Sequence, residues 1–363
     1  IVIGELRSCA VGGMTGALIP SAKRQRVEAT ATSASSLALS SGASAPSALW
    51  DEDDEDKRTS NLDAPIMLLT GHAGAINAFK FSPGGEHAAS GGAERSIYLW
   101  EVFGDCSNYN ILEGHKNAVV DVQWCDKRTL VSASADKTIM LWDAHLGKRK
   151  KKFAGHTGFV NSVCPARNEA AIVSGGDDGN ILLWDQRVRT SVHALKAKYA
   201  VTSVAFSDDA QCVFSGGVDE VLSCWDLRKD EVLYTLQCHR NTVTGLALSP
   251  DGTMLLSNAM DAKLHCWDVR PYASGDRLLK TFVGHQHDFH KNLLSCAWSP
   301  DNEKVTCGSS DQMVHIWDVA TTEEVYHLPG HKGCVNDVHF HPSEPIVGSC
   351  SADKTIYLGE LAS

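Results

Sequence analysis

Several features that would assign a function at once are scarce or missing in this 363-residue chain. Basic residues are outnumbered, 33 Lys and Arg against 44 Asp and Glu, for a formal net charge of -11. Of that excess, -3 falls in residues 1–63 and -8 in the remainder. A nucleic-acid-binding domain usually carries a basic stripe, so the balance makes any RNA contact indirect or minor, although a patch can hide in a net sum. Twelve cysteines are too few for a disulfide scaffold. No two lie within four positions of one another, which leaves neither a redox pair nor a zinc ribbon. Cys224, Cys266 and Cys350 sit in strand-like runs and read as small buried hydrophobes in a reducing compartment. No apolar run reaches the ~20 residues of a membrane helix. The only candidate leader, residues 1–20, contains Glu5 and Arg7. There is no Walker loop, no G-x-S-x-G elbow and no H-E-x-x-H helix. The expectation is a soluble intracellular protein that is not an enzyme and has no cofactor, no small-molecule substrate and no membrane partner.

What the chain has is repetition. Residues 114–143 read GHKNAVVDVQWCDKRTLVSASADKTIMLWD, with Gly-His in front, Trp-Asp behind and three apolar runs between. β-branched and aromatic residues bounded by turn formers make each run a strand. Three short strands cannot bury both faces alone, so the unit needs neighbours like itself. Trp100, Trp142, Trp184, Trp225, Trp267 and Trp317 follow at steps of 42, 42, 41, 42 and 50, and a seventh unit ends at Gly359, another 42 on. Gly-His pairs open units at His72, His115, His156, His285 and His331, with Cys238-His239 as a variant. A period of about 40–45 residues with these marks is the WD-repeat signature of four-stranded propeller blades. The fold class is therefore all-β, a seven-bladed WD-repeat β-propeller over residues 64–363.

Residues 1–63 read as a disordered tail. Fourteen of the 21 residues from Ala29 to Leu49 are Ala or Ser, and Asp51 to Asp56 is unbroken acid. Such a stretch holds too little apolar surface to offset its ordering entropy. Lys23, Arg24 and Arg26 have the composition of a nuclear-import signal. The chain opens on Ile1, and Met14 is the expected natural start. Ile66–Leu69 precedes the first Gly-His, while the last unit supplies three strands only. The first apolar run is therefore expected to complete the last blade and close the ring.

Four positions recur in the units: His115, Ser132, Asp136 and Trp142; His156, Ser174, Asp178 and Trp184; His239, Ser257, Asp261 and Trp267. His, Ser and Asp together invite a catalytic reading. Repetition around a ring argues instead for structural tetrads, because a nucleophile needs one special environment. The weak units are Glu94 for Asp in unit 1, Lys196-Ala197 for Gly-His in unit 4, and Cys307 for Ser in unit 6, which also carries eight extra residues. Unit 7 keeps His331, Ser349 and Asp353 but has lost its Trp. His285, His287, Asp288 and His290 offer metal-type ligands, but H-x-H-x-x-H is not a zinc-finger spacing and has no adjacent Cys. No metal is expected there, and the stretch reads as an exposed polar insertion.

In WD-repeat proteins partners usually contact the face bearing the Gly-His loops and Asp turns. The positions aimed there include Asn77, Phe159, Asn161, Asp177, Thr244, Met260 and Asn336. Three W-D-x-R elements, ending at Arg187, Arg228 and Arg270, resemble the docking element of substrate receptors of cullin-type ubiquitin ligases. They are also a frequent structural variant of the repeat, and the ligase reading stays as the alternative.

Longer stretches carry a closer resemblance: KRQR (23–26), HTGFVNSVCPAR (156–167), SNAMD (257–261), WDVRPY (267–272), HDFHKNLLSCAWSPD (287–301) and HPSEPIVGSCSADKTIYLGEL (341–361). They resemble the family of WD-repeat subunits of the U5 small nuclear ribonucleoprotein. The resemblance spans about Pro65 to Leu361 and omits the tail apart from its basic cluster. It implies a nuclear, non-catalytic scaffold of the spliceosome that binds the largest U5 protein and other spliceosomal proteins during pre-mRNA splicing.

Overall fold

A computed structural model of the protein describes residues 59–361 except residues 168–169, 238, 274 and 289–291. The tail with Lys23, Arg24 and Arg26 lies outside the described residues, as do Cys238 and His290. The described residues form 28 strands in seven four-stranded antiparallel sheets, with no helix among them. Each innermost strand touches the innermost strands of the sheets on either side, and the cycle closes between Val335–Phe340 and Ile76–Phe81. The expected seven-bladed all-β propeller is the fold observed.

Blade 2 shows why these residues make these elements. Its strands, from the axis outward, are Val119–Trp124, Thr129–Ser134, Thr138–Asp143 and Lys148–Ala154. The second strand is buried throughout, whereas Lys148, Arg149 and Lys150 of the outer strand are exposed. The turn between the second and third strands places Lys137 at φ 67, and Arg95, Gly179, Glu220, Ala262, Gln312 and Lys354 repeat that left-handed conformation in the other blades. Asp136 supports the turn by accepting the Thr138 N–H at 3.0 Å, a local bond that Asp side chains favour.

The apolar core lies between blades. One cluster joins Ala89, Ile97 and Leu99 of blade 1 to Val119, Val122, Met140 and Trp142 of blade 2. Each such side chain contributes about 1.5–3 kcal/mol of burial, and none has a buried place without the neighbouring sheet. The blades approach so closely that a Cβ on Gly175 would stand 2.6 Å from Val201 Cγ1 of the next blade.

Pairing slips by one residue near the start of six innermost strands, at Asn77, Val120, Asn161, Thr202, Thr244 and Asn336. A bulge of this kind re-aims the extra side chain. In four of the six it aims at the neighbouring blade. Asn77 Nδ2 donates to Val119 O at 2.7 Å, Asn161 Nδ2 to Val201 O at 2.9 Å, Thr202 Oγ1 to Val243 O at 2.5 Å and Asn336 Nδ2 to Ile76 O at 2.6 Å.

The ring closes on blade 7. Ile66–Thr70 pairs antiparallel with Thr355–Glu360, from Ile66 opposite Gly359 to Thr70 opposite Thr355. The sequence repeat is thus offset from the blade by one strand. Residues 59–63, which composition assigns to the tail, also lie on this seam. Thr59 Oγ1 donates to Glu360 Oε1 at 2.7 Å, and Asn61 Nδ2 donates to Glu344 Oε1 at 2.6 Å. Leu62 is buried in a cluster with Phe81, Trp100 and Leu358. A single apolar residue among polar ones leaves no periodic trace, which is why pattern alone ends the domain at 64.

A variant lacking residues 64–70 should lose about 3 kcal/mol or more, from Leu69 burial and the strand ladder. In urea its whole circular-dichroism transition should move to a lower midpoint. A shoulder from one blade, with the main transition unmoved, would contradict the seam's role.

Candidate functional site

The Gly-His loop and the Asp turn of a blade meet at one rim, joined there by the tetrad. In blade 2 His115 Nδ1 lies 3.0 Å from Asp136 Oδ2, His115 Nε2 lies 2.7 Å from Ser132 Oγ, and Trp142 Nε1 donates to Ser132 Oγ at 2.8 Å. Blade 3 gives 3.0, 2.7 and 2.9 Å for His156–Asp178, His156–Ser174 and Trp184–Ser174. Blade 5 gives 3.4, 2.7 and 2.8 Å for His239–Asp261, His239–Ser257 and Trp267–Ser257. Blade 1 completes the set with Glu94 beside His72, while Ser90 takes His72 and Trp100 at 2.6 and 2.8 Å. In blade 7, His331 joins Ser349 and Asp353 at 2.8 and 3.2 Å, with Gly359 at the Trp position.

The carboxylate also ties the two loops through the backbone. Asp178 Oδ2 accepts the Thr157 N–H at 2.8 Å and Asp178 Oδ1 accepts the Asn180 N–H at 3.1 Å. Burial opposes the charge on Asp178, but the Thr157 amide and His156 outweigh it and hold the carboxyl at about 2. Burial also lowers His156 below its ordinary value, against the pull of Asp178. The pair is therefore a neutral imidazole donating Nδ1–H to an ionised carboxylate, and Nε2 accepts the serine hydroxyl. Blade 4 is the natural control. Trp225 Nε1 still donates to Ser215 Oγ at 2.8 Å, but with neither the loop amide nor the His in place burial raises Asp219 above its ordinary value.

Asp, His and Ser in this order match a hydrolase triad by distance. Yet Ser132, Ser174 and Ser257 are fully buried, and each oxygen already accepts a Trp indole N–H. No substrate carbonyl can reach these oxygens, so the tetrads' geometry joins loops.

Blade 6 is rewired. Cys307 replaces the serine, and Trp317 Nε1 donates instead to Val283 O at 3.1 Å. His285 Nε2 turns to Asn258 Oδ1 of blade 5 at 2.9 Å. Asp311 takes His315 Nε2 at 2.7 Å, and Glu324 takes His315 Nδ1 at 2.7 Å. The expected exposed insertion is corrected in part: His285 is buried and His287 half-buried. Burial, aided in His285 by the neighbouring His287, pushes their pKa values down to about 3 and about 4. Asp288 is exposed, and its N–H donates to Ser310 Oγ at 3.0 Å. Two donor clusters not visible as spacing motifs are His239, Asp261 and His265, and Asp311, His315 and His327. Both use a histidine two residues before the repeat Trp, where blades 2 and 3 carry Met140 and Leu182.

The seven positions assigned to the contact face divide. Asn161, Thr244 and Asn336 are buried, and the amides of Asn77, Asn161 and Asn336 reach the next blade. These four stitch or pack the ring rather than present a free surface, a correction that follows from the bulge. Phe159 is 40% exposed, and Met260 and Asp177 are half-buried, with Asp177 accepting Asn161 Nδ2 at 2.7 Å. Tyr272, absent from that set, is 97% exposed. At the opposite ends of the third strands, Arg187, Arg228 and Arg270 are exposed. The Arg270 guanidinium folds back on Asp268, with Nε 3.0 Å from Oδ1.

Sequence reasoning also missed the channel. A cavity of about 750 Å3 runs between the innermost strands. Beside it Lys80 Nζ donates to Asp337 Oδ1 at 2.9 Å while Asp337 Oδ2 accepts the Phe79 N–H at 3.0 Å. Burial opposes the Lys80 charge, but Asp337 and the more distant Asp121 outweigh it and raise its pKa. Asp121 Oδ2 accepts the Val163 N–H at 2.9 Å, and Ser203 Oγ accepts the Leu246 N–H at 3.0 Å. A polar residue at the centre of an otherwise apolar inner strand is the available sequence signal.

Asp178→Asn should lower stability at pH 7 by roughly 1–2 kcal/mol. The wild-type contribution is present above the unfolded carboxylate value, near 3.9, and is lost as pH falls through about 2. The variant's acid limb should therefore be flatter, while Asp219→Asn should not destabilise at pH 7. Urea midpoints at pH 7 and 3 check both. Asp337→Ala should cost about 3–5 kcal/mol by stranding the Lys80 charge; the double variant Lys80→Met, Asp337→Leu should recover most of it on the same assay.

The comparisons with known proteins agree with this architecture. The sequence matches the family described as "WD domain, G-beta repeat" at residues 63–101, 106–143, 147–185, 189–226, 230–268, 276–318 and 322–358. It is 52% identical over 308 residues to the U5 small nuclear ribonucleoprotein 40 kDa protein of Dictyostelium discoideum, covering 84% of this chain and 87% of the other. It is 45% identical to the Homo sapiens protein of the same name, covering 84% and 86%. The pre-mRNA-splicing factor cwf17 of Schizosaccharomyces pombe is 44% identical, covering 84% and 90%.

Proposed function

The chain belongs to the WD-repeat family and, within it, to the group of U5 small nuclear ribonucleoprotein 40 kDa proteins, and from that premise we propose that it is a non-catalytic scaffold in pre-mRNA splicing. Its place is the nucleus, within the U5 particle, bound to the largest U5 protein. The observation that carries this reading is high identity across the whole ring to relatives whose names state a U5 or splicing role. Two features of the molecule support it. The serines of the Asp-His-Ser sets, Ser132, Ser174 and Ser257, are enclosed. The exposed aromatics Phe159 and Tyr272 have the character of interface anchors, which are often aromatic and set among polar neighbours. The ubiquitin-ligase alternative through Arg187, Arg228 and Arg270 is not adopted, since Arg270 is held by Asp268 and these close relatives carry splicing names.

Affinity purification of the tagged full chain from nuclear extract, after nuclease treatment, should recover the largest U5 protein. Phe159→Ser combined with Tyr272→Ala should lower that recovery several-fold while the melting temperature stays unchanged. Recovery of a cullin with its propeller adaptor, and no U5 protein, would reverse the reading.

A further inference from the structure

The net charge of the chain conceals one strongly basic element. The outer strand of blade 2, Lys148–Ala154, reads KRKKKFA. Its five consecutive cations have no counterpart: the other outer strands read IMLLT, NYNIL, SVHALK, EVLYTLQ, LLKTFV and EVYHL, none with a formal charge beyond one. Edge strands commonly carry a lysine to discourage pairing with other chains, and one suffices for that.

Three of the cations are left for an outside partner, since Lys150 Nζ donates to Thr129 Oγ1 at 2.9 Å and Lys151 Nζ donates to Gln186 O of the next blade. Among the described residues Lys148, Arg149 and Lys152 form no ion pair, and only Lys150 reaches an acid, Asp143 at 3.3 Å. Pairing with the third strand slips at Lys150, between Leu141 opposite Lys151 and Trp142 opposite Arg149. Arg149 and Lys152 therefore stand on the sheet face shared with Trp142, and Lys148 and Lys151 on the other. Positive charge lines both sides of a free sheet edge, with Lys148, Arg149 and Lys150 exposed.

We propose that this edge binds the sugar-phosphate backbone of an RNA strand, an inference that rests on the ribonucleoprotein reading above. Binding to a phosphate backbone needs clustered cations and no sequence-reading group. A protein strand added to the edge would need an apolar or aromatic anchor as well. The run offers none, because its one aromatic, Phe153, is fully buried. The contact is sequence-independent and salt-sensitive.

The test uses the full chain and a fluorescein-labelled oligouridylate of about 20 nucleotides, followed by fluorescence anisotropy. With the three free cations engaged, and Lys150 and Lys151 at most joining them, log K should fall against log salt with a slope between about -2 and -3.5. Lys148→Glu, Arg149→Glu, Lys152→Glu should weaken binding at least tenfold at about 50 mM salt and flatten the slope by about 2. Should that variant melt early, Lys148→Gln, Arg149→Gln, Lys152→Gln replaces it. Poly-glutamate of equal charge should displace the RNA less effectively than unlabelled oligouridylate does. Wild-type protein that fails to bind, a variant that binds as wild type does, or preferential binding of poly-glutamate each overturns the RNA assignment. The nuclease-treated purification separates the two levels. A variant that keeps RNA and U5 protein sinks this inference alone, whereas a wild-type chain that recovers no U5 protein sinks the scaffold reading.

Discussion

Everything in this molecule depends on hydrogen bonds that leave one sheet and end on the next. A four-stranded blade exposes two faces and can cover neither by itself. The innermost strands solve this with a slipped residue whose side chain crosses to the neighbour's carbonyl, as Asn161 does to Val201 and Asn336 to Ile76. A second row runs from side chain to backbone N–H, at Asp121, Ser203 and Asp337. Each such bond is worth only about 1 kcal/mol. Distributed around a closed ring they fix the register of sheets whose apolar contacts alone would let them slide.

The tetrads act at a different radius and do a different job. They tie the loop that enters a blade to the turn inside it, through the carboxylate's bonds to both. Blade 4 shows what the Gly-His loop contributes: without its amide bond and histidine Asp219 is raised, while with both Asp178 sits at about 2. Blade 6 shows that the same rim can be held by another wiring, through His315 between Asp311 and Glu324.

Period, Trp steps and Gly-His marks carried the blade number, and the unmatched apolar run at Ile66 pointed to the closure seen in the strand pairing. The recurring His, Ser, Asp and Trp positions could be named because each is a distinct residue type at constant spacing. The misplaced contact positions share one cause. Where a strand slips by one residue, the alternation that tells inside from outside breaks, so Asn77, Asn161 and Asn336 read as surface and are stitches. The channel pair Lys80–Asp337 stayed hidden because its members lie in blades adjacent only through the ring. The basic edge of blade 2 was invisible to a summed charge, and Leu62 left no period to detect.

The seam has a consequence for how the chain is made. Among the described strands Ile66–Thr70 leaves the ribosome first, yet its partner Thr355–Glu360 is synthesised last. At about 5–20 residues per second, the opening strand waits roughly 15–60 s with its backbone unpaired. Until then no native sheet exists for it to join. During each round of translation the nascent chain thus carries a solitary adhesive segment, a natural client for holding chaperones and the place where two neighbouring nascent chains on one messenger could exchange clasps.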